Sequence, residues 1–552
     1  MYVRTISRTN KDGSKVEYVQ LAHNYRHPEK GHAQAQVIYS FGRKDELDVD
    51  ALRRLVRSLC RFLSPQEALE AQADADPNGE ALRFVQSKAM GGVYALRQLW
   101  DRLRIGDRIK KALKDRRFTS PVENALFAMA ANRALAPDSK RAVEEWVRQD
   151  VFIEDADAIE LQHLYRAMDF LLEHEEALQK EVFWSLAGLL NLEVDMVFFD
   201  TTSTYFEMDE EDADGLRRYG HSKDKRKDLP QVVIGLAVTK QGLPIRSWVL
   251  PGNTADVTTV DRIQKDLGGW KLGRVVWVMD RGMTSEDNRI MLQRAGGHYI
   301  LGEKLRDGKA VNQAALSSPG RFRQVRDNLH IKEVTIGNGA GRRRFVVAYN
   351  PEQAQRDQAN RERLVQRIEQ QIEVVNELKN ERRAKAVCDL TSDRFLGRYV
   401  KELKTGQLRI DRSKVAAEEK LDGKYLLSSS DDTLTSEEIA LGYKQLLEVE
   451  RAFRTLKTTL ELRPVYHRKD ERIRSHVTLC WLALLLVRLA EVETGLSWDR
   501  IRRSLDRIHM GEFLHKNGRI LQRSELTQEQ SNILKKLQIK PPSLVNNVDL
   551  NP

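Results

Sequence analysis

The sequence predicts an α/β protein: a mixed sheet with flanking helices, interrupted by a large insertion and preceded by mostly helical N-terminal segments. Three observations carry this. Residues 194–302 read as three strands, a helix, a strand, a helix and a strand. Residues 303–420 break that alternation with a hairpin and a highly charged helix. Residues 82–190 keep helical spacing throughout.

Composition bounds the rest. A chain of 552 residues is long enough for several domains, and a 41% hydrophobic content supports packed cores. The formal charge of +10, spread along the chain, points to a polyanionic partner. Cys60, Cys388 and Cys480 stand far apart and without metal spacing, so they read as buried thiols in a reducing compartment, not as a disulfide frame or zinc site. The N-terminus has no signal-peptide core, and the most apolar stretch, 477–487, falls short of the ~20 residues that span a bilayer. A cytoplasmic protein with no membrane association is expected.

Residues 1–80 alternate in short runs, "KVEYVQLAHNYR" and "AQAQVIYSFGR", predicting a hairpin. An amphipathic helix with Leu52, Leu55, Val56, Leu59 and Leu63 at helical spacing follows, then a turn-rich linker, "ADADPNGEAL". This segment is expected to bind DNA. In 81–190 the start Ser120-Pro121-Val122-Glu123 reads as a capping box with proline at N1. Its helices leave two readings open, a DNA-end-binding domain or a scaffold with solvated charges.

The first part of the sheet occupies 191–302: "VDMVFFDTTSTYF", "QVVIGLAVTKQGLPIRSWVL", "GRVVWVMDRGM" and "HYILGEKL" are rich in β-branched and aromatic residues. In the insertion, 303–420, Gly337, Gly339 and Gly341 fall in a hairpin turn, which argues against a nucleotide loop. A charged helix from about 353 to 386 carries Leu364, Ile368, Ile372 and Val375 on one side. The remainder of the core, 421–500, opens its helix with a second capping box, Thr435-Ser436-Glu437-Glu438. Residues 501–552 are expected as a C-terminal helical tail.

Chemistry concentrates in three acids. Asp200 ends the apolar run Met196–Phe199, and Asp280 ends Val275–Met279. A carboxylate at the carboxyl end of a buried strand is costly unless it is paired or bound to metal, and such strand ends are where ligands bind α/β sheets. If the two strands are neighbours, the two like charges call for a divalent cation. The alternative for either aspartate alone is a strand-end cap.

The third acid lies in "YKQLLEVERAFRTLK", 443–457. At about 100° per residue, Tyr443, Glu450, Arg454 and Lys457 fall on one narrow face beside an apolar arc of Val449, Ala452, Phe453, Leu456 and Leu460. Glu448 falls on the opposite, wet side. Glu450 is therefore the expected third metal ligand, with Tyr443, Arg454 and Lys457 as phosphate contacts. The competing reading is an ordinary Glu450–Arg454 ion pair.

Asp200 in "FFDTTSTYF", Asp280 in "VMDRGM" and the series Tyr443-x2-Leu446-x3-Glu450-x6-Lys457 resemble the DDE transposases of bacterial insertion sequences. The branch it resembles carries a Y-x2-R-x3-E-x6-K signature and a large insertion before the glutamate. "LRPVYHRKDERIRSHV" extends the likeness, which covers roughly 190–500. The resemblance implies a ribonuclease-H-like core binding two Mg²⁺ ions (Mn²⁺ substituting), with Asp200 bridging both and Asp280 and Glu450 each completing one. It implies cleavage of double-stranded DNA at terminal inverted repeats, joining of the 3′ ends to target DNA, and a homodimer in the DNA-bound synaptic complex near the bacterial nucleoid. Tyr443 and Lys457 match positions that contact the DNA end. Leu446 departs from the signature arginine; Arg454 is expected to supply the missing cation, unless Leu446 extends the apolar stripe. Two other readings stay open: a nuclease on the same core, and a domesticated, catalytically silent DNA-binding protein.

Overall fold

Alternating runs at the N-terminus pair into three antiparallel strands, β1 (Tyr2–Thr9), β2 (Lys15–Arg26) and β3 (Ala33–Arg43), one more than the expected hairpin. In this computed structural model the described residues are 1–552 except 27–32, 65, 66, 68–82, 115–120, 191, 193, 194, 209, 271, 273, 307, 340, 341, 394, 464, 516, 517, 551 and 552. The helix Val49–Cys60 follows, with the Asp48 carboxylate accepting from the Ala51 N–H as N-cap. The turn-rich linker lies outside the described residues. A further strand, β4 (Arg83–Ala89), precedes the helices of 91–190.

Those helices gather around two that are buried almost all round, Val122–Leu135 and the later Asp470–Thr494, which pack on each other. Asp470–Thr494 is long and apolar enough to cross a membrane, yet 83% of its most apolar window is buried inside the protein; it is a core helix. Ser120, the first residue of the expected capping box at 120–123, lies outside the described residues. Pro121 is the N-cap of Val122–Leu135 and makes no side-chain cap. Glu123 turns inward and accepts from Arg97 (2.6 Å) and Trp100 (2.9 Å), which satisfies a buried acid.

Strands β5 (Met196–Tyr205), β6 (Gln231–Val238), β7 (Pro244–Pro251), β8 (Val276–Met279) and β9 (His298–Glu303) stand in the order β7-β6-β5-β8-β9. β5, β6 and β7 are antiparallel neighbours, while β5, β8 and β9 run parallel. A third-second-first-fourth-fifth order with that mixture of directions is the ribonuclease-H-like arrangement. Phe199, Trp248, Trp277 and Met279 fill the face covered by the helices Asp256–Gly268 and Glu286–Arg294.

The insertion does not simply interrupt this sheet; it lengthens it. β10 (Arg323–Arg326), β11 (Leu329–Ile336), β12 (Arg343–Tyr349) and β15 (Lys424–Ser429) continue beyond β9, giving nine strands. What stands apart is the excursion between β12 and β15, which pair with each other; the Asn350 N–H donates to the Gly423 carbonyl at its neck (2.8 Å). This excursion holds the helices Pro351–Glu377, Asn380–Ser392 and Arg412–Glu419 and the two-stranded sheet β13 (Val400–Glu402) and β14 (Leu408–Ile410). Ile368, Ile372 and Val375 reach its core as the spacing predicts, with Leu364 packed against it. The charged helix, expected in one piece, breaks at Leu378–Lys379, with Asn380 at φ +55°.

The C-terminal residues are not a helical tail. Helices Trp498–Leu505 and Gln528–Lys536 alternate with β16 (His509–His515), β17 (Gly518–Arg523) and β18 (Val545–Leu550). These strands form a four-stranded sheet, β18-β17-β16-β4, so N- and C-terminal segments belong to one folding unit (1–88, 508–527 and 541–552).

Candidate active site

Parallel pairing of β5 with β8 ends at Phe199↔Met279, so Asp200 and Asp280 are the next residues on adjacent strands, whose backbones lie roughly 5 Å apart. β8 stops there. β5 does not: Thr201, Thr202, Ser203 and Thr204, all buried, carry it on to Tyr205 against β6, so Asp200 sits within a strand, not at its end. β-branched residues favour that continuation.

Each aspartate has one oxygen held by the protein. Asp200 Oδ1 accepts from the Thr201 N–H (2.7 Å), and Asp280 Oδ1 accepts from the Tyr443 hydroxyl (2.9 Å). Burial pushes the Asp200 carboxyl up to about 6 against the pull of Lys223 and the Thr201 N–H, and the charges of Asp280 and Asp256 push the same way as burial. Burial first, and then Asp280, drive the Tyr443 phenol far above its ordinary value, so it stays a donor. Gly302 on β9 makes room for that phenol: a Cβ there would stand 2.3 Å from the Tyr443 oxygen.

The helix of 443–457 is not continuous. Ser436–Lys444, whose Thr435/Glu438 capping box forms as expected, ends before Leu446; Leu447–Arg454 begins a second helix, and Thr455–Thr459 is a π-turn. Tyr443 and Glu450 nonetheless line one cavity of about 870 Å³ with Asp200 and Asp280. Arg361 and Arg398, from the β12–β15 excursion, contribute to another part of its lining. Glu450 is exposed.

The other two members of the expected polar face do not line the cavity. Lys457, in the π-turn, donates to Asp224 (2.9 Å), which Arg463 also pairs (2.8 Å), and burial lowers the lysine's pKa. Arg454 is exposed and does not line the cavity. Leu446 is 8% exposed and packed. Glu448 is not on a wet side: it pairs with Arg451 (2.8 Å) and with the half-buried Arg488 (3.1 Å), which joins its helix to Asp470–Thr494.

Two residues escaped the sequence reading. Asp256, in the first turn of Asp256–Gly268, accepts from the Thr201 hydroxyl, and Lys223 lies 3.3 Å from Asp256 and 3.6 Å from Asp200. Lys223 sits in the charged run "HSKDKRKD", which reads as solvated, and Asp256 reads as a routine first-turn acid.

Asp200, Asp280 and Glu450 are an all-oxygen donor set, and each aspartate keeps one oxygen free of the hydrogen bonds described, which suits a hard cation such as Mg²⁺ or Mn²⁺ better than zinc. Among the described residues no three His, Cys, Asp or Glu form a closed ligand cluster.

Fold and site together define a ribonuclease-H-like protein in which Asp200, Asp280 and Glu450 line one cavity beside the central strands. Residues 195–486 match the family described as "Transposase DDE domain", and the chain belongs to that family, the DDE transposases. Residues 3–71 match the "IS1634 family transposase, N-terminal domain", which supports an insertion-sequence origin. No curated protein matches the chain. Among solved structures, a cryo-EM structure of the piggyBac transposase synaptic complex with hairpin DNA is similar at 9% identity and a TM-score of 0.35, covering 76% of this chain and 82% of that one.

Proposed function

We propose that the protein binds the terminal inverted repeats of its element as a homodimer, cleaves double-stranded DNA at the element ends and joins the 3′ ends to target DNA, acting in the bacterial cytoplasm at the nucleoid. The observation that carries this reading is the registered pair Asp200 and Asp280 sharing one cavity with Glu450. Asp200, Asp280 and Glu450 are the residues that would hold the Mg²⁺ ions. Bound there, such ions supply a metal-activated oxygen nucleophile and charge stabilisation for the leaving oxygen. The protein's own part is orientation: Thr201 holds Asp200, and Tyr443 holds Asp280.

Arg454 is the proposed phosphate contact of the glutamate helix, because it is exposed. Tyr443 and Lys457 were expected beside it, but both already have carboxylate partners, and we assign them to positioning Asp280 and anchoring the π-turn.

The test is incubation of the full chain with duplexes bearing the native element ends and Mg²⁺, followed by mapping every cut and every joined product. Cuts at the repeat ends plus 3′-end joining are expected, both lost in Asp280→Asn. Hydrolysis with no joining indicates a nuclease, and tight end binding with no cut indicates a silent DNA-binding protein; either outcome overturns the reading.

A further inference from the structure

Lys223 behaves unlike a lysine in a solvated run. Its ammonium donates to the Thr201 carbonyl (2.6 Å) and hydroxyl (2.7 Å), and stands 3.3 Å from Asp256 Oδ2 and 3.6 Å from Asp200 Oδ1. Its main chain is held too, the N–H donating to Ser203 Oγ (2.9 Å). The Thr201 hydroxyl, on a residue 1% exposed, accepts from Lys223 while donating to Asp256, so its one proton and its lone pairs are used consistently. The next residue, Asp224, turns the other way to hold Lys457 and Arg463. Two consecutive residues of the β5–β6 connection thus reach the strand bearing Asp200 and the turn that ends the glutamate helix.

We propose that Lys223 and Asp256 are positioning residues for Asp200. The Thr201 N–H donates to Oδ1 of Asp200 and the Lys223 ammonium pairs with the same oxygen at 3.6 Å, so Oδ2 is the oxygen left for a cation; Asp256 fixes that ammonium, directly and through the Thr201 hydroxyl that both of them bind. The arrangement parallels Tyr443 on Asp280, one oxygen restrained and one offered. Partners of this kind set the orientation of a ligand without touching the ion, and losing one costs about 10–100-fold in metal affinity or activity. The proposal rests on Asp200 being a metal ligand.

The experiment is a Mn²⁺ titration of the metal-free full chain without DNA, with free Mn²⁺ read by electron paramagnetic resonance and folding checked by thermal unfolding. Asp200→Asn should lose the tight site. Lys223→Gln and the isosteric Asp256→Asn should each weaken it about 10–100-fold. Their combination should weaken it no further than the worse single change, and Lys223→Arg should recover most of the affinity. Binding as tight as wild type, or tighter, in Lys223→Gln and Asp256→Asn would overturn the proposal alone, leaving Lys223 a competing charge or a structural tie. Wild-type affinity in Asp200→Asn would overturn both the proposal and the metal reading beneath it.

Discussion

The hydroxyl of Tyr443 donates to Oδ1 of Asp280 across 2.9 Å, joining the end of one helix to the end of β8. A residue expected to touch DNA thus orients an acid. Tyr443→Phe removes this bond and nothing else of size, so it should keep the fold and the binding of DNA ends. Single-turnover cleavage at saturating Mn²⁺ should fall about 10–100-fold. A wild-type rate in that assay would return Tyr443 to a role on DNA.

Substitution of the acids separates chemistry from binding. Asp200→Asn, Asp280→Asn and Glu450→Gln should each abolish strand cleavage while leaving end binding, measured by gel shift, within a few-fold of wild type. One of the three retaining full cleavage would remove that residue from the proposed ligand set.

Glu448, two residues from Glu450, answers differently. It is 19% exposed and pairs with Arg488, itself 12% exposed. Glu448→Ala removes one charged hydrogen-bond partner from a half-buried guanidinium that keeps Glu491, and should cost about 1.5 kcal/mol in denaturant unfolding, the low end for a charged hydrogen bond. Cleavage below the unfolding range should stay near wild type. Unchanged stability would mean this ion pair does not hold the helix.

Leu446→Arg restores the signature cation of the family at a packed position, 8% exposed. An unpaired charge there should destabilise the fold, on the order of 3 kcal/mol. Unaltered unfolding, with tighter end binding, would show instead that the site opens onto DNA.

A cluster of bases around the buried Lys140 contributes to the pH dependence of stability. Burial, then Lys140 and other cations, pull His467 down to about 4, and burial, then Arg133, pull Lys140 down to about 7. Both bases have depressed folded values, so the unfolded chain takes up protons first, and stability falls as pH drops from 10.5 to 7 through Lys140 and from 6.5 to 4 through His467. Tm should therefore rise from pH 5 to pH 9. Lys140→Met should flatten the alkaline part and raise Tm at pH 7; an unchanged alkaline slope would exclude Lys140 as its source.

The nearness of Asp200 and Asp280 was legible because a carboxylate next to a buried apolar run is costly, and their strands pair up to Phe199↔Met279, although Asp200 lies within its strand and not at its end. Glu450 was legible from helical periodicity even though that helix breaks at 445–446, since Tyr443 and Glu450 both still reach the cavity. The pairing of Lys457 with Asp224 was not legible, because a π-turn alters the angular spacing and no residue from 455 to 459 announces it. Glu448 was misread because its partner Arg488 lies on another helix, and Lys223 and Asp256 were missed because tertiary structure alone brings them to Asp200. The sheet that the C-terminal strands build was hidden in part for the same reason: β16 also neighbours β4, which lies more than 400 residues earlier.

The hydrogen bond from Asn350 to Gly423 makes the chain between them a detour that starts and finishes at one doorstep. A tight turn joining 349 to 424 would leave β12 paired with β15 and the acids where they are, while stripping Arg361 and Arg398 from the cavity wall. In mechanical terms the excursion is a cassette: the sheet and the acids hold their places without it, while the face it adds to the cavity is carried entirely by residues between one pair of neighbouring strand ends.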